Sequence, residues 1–262
     1  MRAVFQDLSH SFRNPEFWAL SSWLDVVASY RRTRLGIFWM MAPVMLYVWG
    51  VGGFFAGLYG KTIPAFGAHV ALGVTVFRLV TSVVTEATTV FTGSQAFILD
   101  GHLRLTDFIL RVLAKAMLYF FVSLPVVVVA LWMYPGLQPA ALPLSLLGFL
   151  LVLLNAAWIG TVMALLGARY PDISQLTGSI LLFAFLLTPI VWYSEMAPAT
   201  GARAVLMQLN PLFHMVEIVR APLLGEAFDM RSLQVLTGMA AAGWLAAAWS
   251  YQRYARFVPI WV

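Results

Sequence analysis

The chain has 262 residues, 61% of them hydrophobic and 15% aromatic, and 27 carry a charge (16 Lys or Arg and 11 Asp or Glu), leaving a net +5 at neutral pH. A soluble protein of this length would spread charge over every exposed face to avoid association through apolar surface, whereas here 53 consecutive residues, Ala116 to Ala168, hold no Asp, Glu, Lys or Arg. The absence of cysteine excludes disulfide and thiolate chemistry, and on so apolar a chain the net positive charge points to orientation in a membrane rather than to nucleic acid.

The first 34 residues include Arg2, Arg13, Arg31, Arg32 and Arg34 with no apolar stretch ahead of them, which argues against a cleavable leader and for a cytoplasmic N-terminus. Within this cytoplasmic or interfacial segment, Phe17, Leu20, Trp23, Leu24, Val27 and Tyr30 recur at helical spacing, opposite Glu16, Ser22, Asp25 and Ser29. The pattern predicts an N-terminal amphipathic interface helix over Pro15 to Tyr30. Charge-poor runs, each close to the roughly 20 residues that cross about 30 Å of hydrocarbon, then predict crossings over Leu35 to Tyr59, Phe66 to Val90 and Phe108 to Tyr134. A turn at Pro135, Gly136 and Pro139 leads to further crossings over Leu142 to Leu166, Ile173 to Tyr193 and Leu233 to Tyr251.

Between the fifth and sixth crossings, the outer loop from Glu195 to Arg231 holds apolar pieces too short to span. Pro211 and Pro222 are expected to break it into short re-entrant helices that dip into the outer leaflet. The fold class is thus an all-α integral membrane protein with six transmembrane helices and one domain: spans one to five over 35–193, the re-entrant loop over 194–231, span six over 232–252 and a cytoplasmic tail over 253–262. Both termini then face the cytoplasm. Of the 16 Lys and Arg, only Lys61, Arg203, Arg220 and Arg231 fall outside and Arg78 falls within a span, leaving eleven inside.

Motifs for catalysis are sparse. Gly60-Lys61-Thr62 resembles the end of a phosphate-binding loop, but the glycine required five positions earlier is Phe55; if ATP drives this protein, another chain must bind it. His10, His69, His102 and His214 lie far apart with no metal-binding spacing, and no Gly-x-Ser-x-Gly elbow occurs. Gly53 and Gly57 form a Gly-x-x-x-Gly pair suited to a helix contact. Arg78 and Glu86, eight residues apart and hence about 12 Å apart along a helix, cannot pair directly and should face protein or a watery path. Snorkelling to the outer interface is the alternative for Arg78.

Several strings together resemble one family. They are Tyr30-Arg31-Arg32-Thr33-Arg34-Leu35-Gly36-Ile37-Phe38-Trp39, Ala168-Arg169-Tyr170-Pro171-Asp172-Ile173, Thr188-Pro189-Ile190, the stretch from Asn210-Pro211-Leu212-Phe213-His214 to Leu224-Gly225, and the terminal Val258-Pro259-Ile260-Trp261-Val262. In order and spacing they resemble the permease subunit of ABC-2 polysaccharide exporters, with O-antigen (lipopolysaccharide) exporters nearest and capsule and teichoic-acid exporters as relatives. The resemblance implies a multi-pass protein of the bacterial inner membrane, working as two copies over a separate ATPase dimer that binds ATP and Mg. No cofactor and no catalysis are expected on this chain. The expected cargo is a polyprenyl-linked polysaccharide; membrane lipids are further partners, and nucleic acid is not.

On this resemblance Arg31, Arg32 and Arg34 sit where a lipid pyrophosphate would arrive, since guanidinium forks bind phosphate bidentately; plain positive-inside anchoring is the alternative. Gly93 to Thr106 corresponds to the element that docks on the ATPase, with Phe97, Ile98 and Leu99 as an apolar knob and Asp100, His102 and Arg104 as its rim. The chain departs from the family by lacking a proline before the third span and by carrying Tyr170-Pro171 where relatives usually have Phe-Arg. A sugar passage would use aromatic faces, for which Phe54, Phe55, Tyr59, Trp192 and Tyr193 are candidates together with the polar Glu86. An ordinary interfacial aromatic belt would also explain the aromatics. Two other classes fit less well. A membrane-embedded enzyme of glycolipid assembly needs a catalytic polar cluster, and an ion-coupled transporter needs more intramembrane charge and an internal repeat.

Overall fold

The computed structural model describes residues 2–196, 201–226 and 228–262. Residues 197–200 and Ala227 of the expected outer loop lie outside the described residues, as does Met1. Helices take up 85% of the chain and no strand occurs among the described residues, so the all-α, membrane-type expectation holds. Four helices are long and apolar enough to cross a bilayer: α3 (Gly36–Leu58), α4 (Ile63–Val90), α6 (Leu105–Trp132) and α7 (Leu142–Arg169, entered through a turn at Pro139). They are joined by α1 (Arg2–Arg13), α2 (Glu16–Tyr30), α5 (Gln95–Asp100), α8 (Ile173–Leu187), α9 (Ala202–Leu209), α10 (Pro211–Leu224), α11 (Met230–Tyr254) and α12 (Val258–Trp261).

The two remaining expected crossings differ from the four. Helix α8 has 15 residues and ends at Leu187, because Thr188 turns extended (ψ 127) ahead of Pro189, whose ring disfavours a helical predecessor. The expected continuation to Tyr193 is therefore not helical. Helix α11 is long enough at 25 residues, but its alanines, its glycines and Gln234 make it less apolar.

Helix α4 is the axis of the molecule. It starts at Thr62, whose hydroxyl accepts from the Ala65 amide, with Pro64 in the first turn. It is enclosed by α3, α6, α7, α8 and α10. Small residues on α7 permit the closest approaches. A Cβ on Gly167 would lie 1.8 Å from the Thr88 carbonyl oxygen of α4, and one on Gly148 would lie 2.7 Å from the Ile218 carbonyl of α10. At these points backbone meets backbone, which only glycine allows. The Gly53 and Gly57 pair, by contrast, has no atom of another helix within 4 Å of where a methyl would stand, so among the described residues it makes no helix contact.

Helix α10 is the surprise of the loop region. Asn210 caps it by accepting from the Leu212 amide, and Gly225 ends it in the left-handed conformation (φ 66). Every residue from Leu212 to Leu224 is buried, enclosed by α4, α7 and α11 rather than facing an outer leaflet. Pro222 does not break it. Proline near the end of the helix removes only the bond to the carbonyl four residues earlier, and that carbonyl, on Ile218, faces the glycine gap at Gly148. The neighbouring Val219 carbonyl accepts from the Ser145 hydroxyl of α7.

Both termini lie at one end of the bundle, here the basal end. Helix α1 docks on α6 and α11 through buried Val4, a Ser11–Thr106 hydroxyl pair at 2.8 Å and a bond from the Tyr251 hydroxyl to Asp7 at 2.9 Å. A basal core of Phe91, Phe108, Ala164, Leu165 and Val258 lies beneath it. Helix α2 lies along α6 through buried Ser22 and Val26 and through Asp25, which accepts from Arg111 Nε at 2.8 Å. The expected polar face of α2 thus meets protein in part, while Leu20, Trp23 and Leu24 point outward.

Candidate functional site

Basal groups come first. Helix α5 hangs between the ends of α4 and α6, stopped by Gly101 in the left-handed conformation (φ 75). Of the expected knob, Phe97 (54% exposed) and Leu99 (58%) face outward, but Ile98 (6%) is turned into the basal core. The knob is two residues, not three, because a helical turn cannot present three consecutive side chains on one face. Asp100 and His102 pair at 2.9 Å in the open. Arg104 is not a free rim residue: its guanidinium pairs with Asp7 of α1, and its backbone amide donates to Asp107, capping α6. Phe97 also meets Phe17 of α2 edge-on, with centroids 6.0 Å apart.

The turn after α2 carries Arg31, Arg32 and Arg34, all exposed and without an ion pair among the described residues. Gly36, at φ 56, lets the chain reverse from this turn into α3. Deeper in the bundle, Glu86 is held by Lys115 of α6 at 2.7 Å, so it is matched rather than free to line a passage. Arg78 borders a cavity of about 260 Å³ with Tyr30, Thr75, Ser82, Tyr119 and Ser123. At the basal end of α7, the Arg169 guanidinium lies over the rings of Tyr170 (5.3 Å) and Trp261 (5.6 Å), fixing α12 against α7.

At the opposite, distal end the expected aromatics form a packed cluster. Phe55 stacks on Tyr59 at 5.7 Å, Tyr59 meets Phe66 at 5.7 Å, and Phe66 meets Tyr193 at 5.5 Å. Phe54 alone is largely exposed (67%), edge-on to Phe55, and the Trp192 indole donates to the Leu186 carbonyl at 3.3 Å.

Beneath this cluster lies an ion network that the sequence did not reveal. Arg220 of α10 is fully buried; it donates to Glu217 Oε2 at 2.8 Å and to the Pro189 carbonyl at 2.6 Å. Its Nη1 also lies 3.1 Å from His69 Nε2, and His69 Nδ1 lies 3.2 Å from Glu226 Oε1. His69 Nε2 also lies 3.1 Å from the Trp192 carbonyl, which can only accept. With the one proton of neutral His69 on Nδ1 for Glu226, Nε2 accepts from Arg220 and the Trp192 carbonyl receives no imidazole proton. Glu226 Oε2 sits 3.4 Å from Arg220 Nε, closing the ring. Burial acts to raise the Glu226 carboxyl, but the His69 hydrogen bond and the Arg220 charge outweigh it and hold it below its ordinary range. Arg220, expected in the outer loop with its short re-entrant helices, is the centre of the network, and it ties α4, the Thr188–Tyr193 segment and α10 together. His214, nearby on α10, donates from Nε2 to the Gln208 carbonyl and accepts at Nδ1 from the Ser232 hydroxyl, each at 2.8 Å.

The only hint of this network in the sequence is Glu217 and Arg220, one helical turn apart within an otherwise apolar stretch. Chemically the network is a clamp, since its charges are taken by one another, although buried Arg220 Nε faces Glu226 without a hydrogen bond. The groups with unspent recognition capacity are Phe97 with Leu99 and the three arginines of the turn at the basal end, and the Arg78 cavity deeper in the bundle. Against protein-family models, and against curated proteins, the chain finds no match.

Proposed function

We propose that this chain is the permease subunit of an ATP-driven exporter of the ABC-2 type. It would move a lipid-linked polysaccharide of the O-antigen kind outward across the bacterial inner membrane, as two copies served by a separate ATPase dimer. The observation that carries this reading is α5: a short helix at the end bearing both termini, anchored by Ile98 and exposing Phe97 and Leu99. A transport subunit without a nucleotide-binding motif needs such a contact to receive mechanical work from a partner. The order of elements supports the same reading. An amphipathic helix leads into the apolar helices, and a short helix pair, α9 and α10, stands before the last one. With α8 and α11 counted as crossings there are six, and the basal end is cytoplasmic.

Capsule or teichoic-acid export would use the same machinery with a different cargo. A glycolipid-assembly enzyme is the weaker alternative, because the buried network that gathers acid, base and cation uses them on one another.

The test is co-expression with an ATPase subunit of the ABC type. The wild-type chain is expected to purify with that ATPase and to hydrolyse no ATP alone. Replacing Phe97 and Leu99 by Asp is expected to abolish co-purification while leaving a monodisperse membrane protein. A wild-type chain that never retains an ATPase would sink the proposal.

A further inference from the structure

Arg78 stands apart from the other charges inside the bundle. Two nearby carboxylates are already matched, Glu86 by Lys115 at 2.7 Å and Asp25 by Arg111 at 2.8 Å. The Arg78 guanidinium, only partly exposed, has no ion pair and no hydrogen bond among the described residues. An unmatched cation at membrane depth is costly, and such charges pair with a partner or face a polar cavity.

The cavity it borders is polar on several sides. Tyr30 of α2 and Tyr119 of α6 bring phenol groups, and Ser82 and Ser123 bring hydroxyl oxygens whose protons go to the Leu79 and Tyr119 carbonyls of their own helices. Thr75, one turn from Arg78 on α4, is 4% exposed, and its hydroxyl oxygen is buried with no hydrogen-bond partner. Buried hydroxyls are nearly always satisfied, so an unpartnered one on a cavity wall calls for a polar occupant. At about 260 Å³ the space is far larger than the roughly 30 Å³ of one water.

We propose that this cavity is an anion-binding site for a phosphate group, with Arg78 as its central cation and Thr75, Tyr30 and Tyr119 as hydroxyl donors. A guanidinium beside several hydroxyls is the donor set that phosphate oxygens take. The group is either carried by a lipid headgroup reaching in from the bilayer or is free phosphate; the chemistry is shared. The site follows from the unmatched charge and the unpartnered hydroxyl, and does not depend on the exporter assignment.

The test uses the full-length chain reconstituted in nanodiscs of mixed phosphatidylglycerol and phosphatidylcholine, and in lipid-free detergent. Native mass spectrometry of protein released from the nanodiscs reads retained lipid. Thermal unfolding in detergent, with inorganic phosphate against chloride at equal ionic strength, reads the free anion. If the source is lipid, the wild type retains phosphatidylglycerol and Arg78→Met lowers retention about tenfold; Arg78→Lys keeps part of it. If the source is free, phosphate raises the unfolding midpoint of the wild type and not of Arg78→Met. Thr75→Val, which keeps shape and should fold regardless, is expected to weaken whichever signal is seen. Equal behaviour of wild type, Arg78→Met and Thr75→Val in both arms would overturn the proposal, leaving a water-filled cavity. ATPase co-purification through Phe97 and Leu99 would be unaffected by that outcome, so the two proposals fail separately.

Discussion

Arg220 illustrates how a buried charge is held in this molecule. Its guanidinium reaches Glu217, the Pro189 carbonyl, His69 and Glu226, and none of these partners has another cation at hand among the described residues. Removing one member of a buried network leaves the rest uncompensated, at about 3–5 kcal/mol. Arg220→Met is therefore expected to lower the unfolding midpoint strongly, and adding Glu217→Met and Glu226→Gln to it should restore part of the loss, measured by thermal unfolding in detergent. Glu226 sets a pH dependence. Because its folded value lies below the ordinary 4.5, its stabilising contribution is full above about pH 4.5 and is lost as pH falls through the lower folded value. Glu226→Gln should be less stable than wild type at pH 7, and the gap should narrow on acidification below pH 4.5. A gap unchanged to pH 3 would show that Glu226 is not ionised in the network.

At the scale of elements, the glycines of α7 decide how tightly the bundle closes. Gly167→Ala would press a methyl into the Thr88 carbonyl, a backbone atom that cannot swing aside, and should cost about 1–3 kcal/mol as α4 and α7 part. Gly53→Ala meets nothing and should be neutral or stabilising by up to about 1 kcal/mol, since alanine is the better helix former; equal losses at both sites would refute this packing. The contrast also shows what the sequence could disclose. The charge-poor runs located α3, α4, α6 and α7 well, because scarcity of charge in an apolar solvent is a property of each segment alone. Helix α1 was legible but unread: Val4, Leu8 and Ser11 recur at helical spacing on its inward face, and only their partners on α6 and α11 are tertiary. The distal clamp escaped because its signal is tertiary, His69 and Glu226 being 157 positions apart. Likewise Ile98, Phe97 and Leu99 read alike as apolar letters, and only the helical turn separates anchor from knob.

For the molecule as a whole, the natural absence of cysteine makes orientation directly measurable. On the exporter proposal, single cysteines at Lys61 and Glu195 should react with an impermeant maleimide added to intact spheroplasts, while one at His102 should react only after permeabilisation. Labelling of all three from the same side would overturn the six-crossing arrangement. The short helix α8 has a further consequence for the surrounding bilayer. Fifteen residues give a rod of about 22 Å against about 30 Å of hydrocarbon, and its Leu176, Ile180, Phe183 and Leu186 are exposed. On the six-crossing proposal, lipids along this flank would thin to match it, at a cost of fractions of a kcal/mol per Å around the perimeter. The molecule would then carry a built-in dimple on one side, and thickness of the host membrane would become a variable to which its assembly responds.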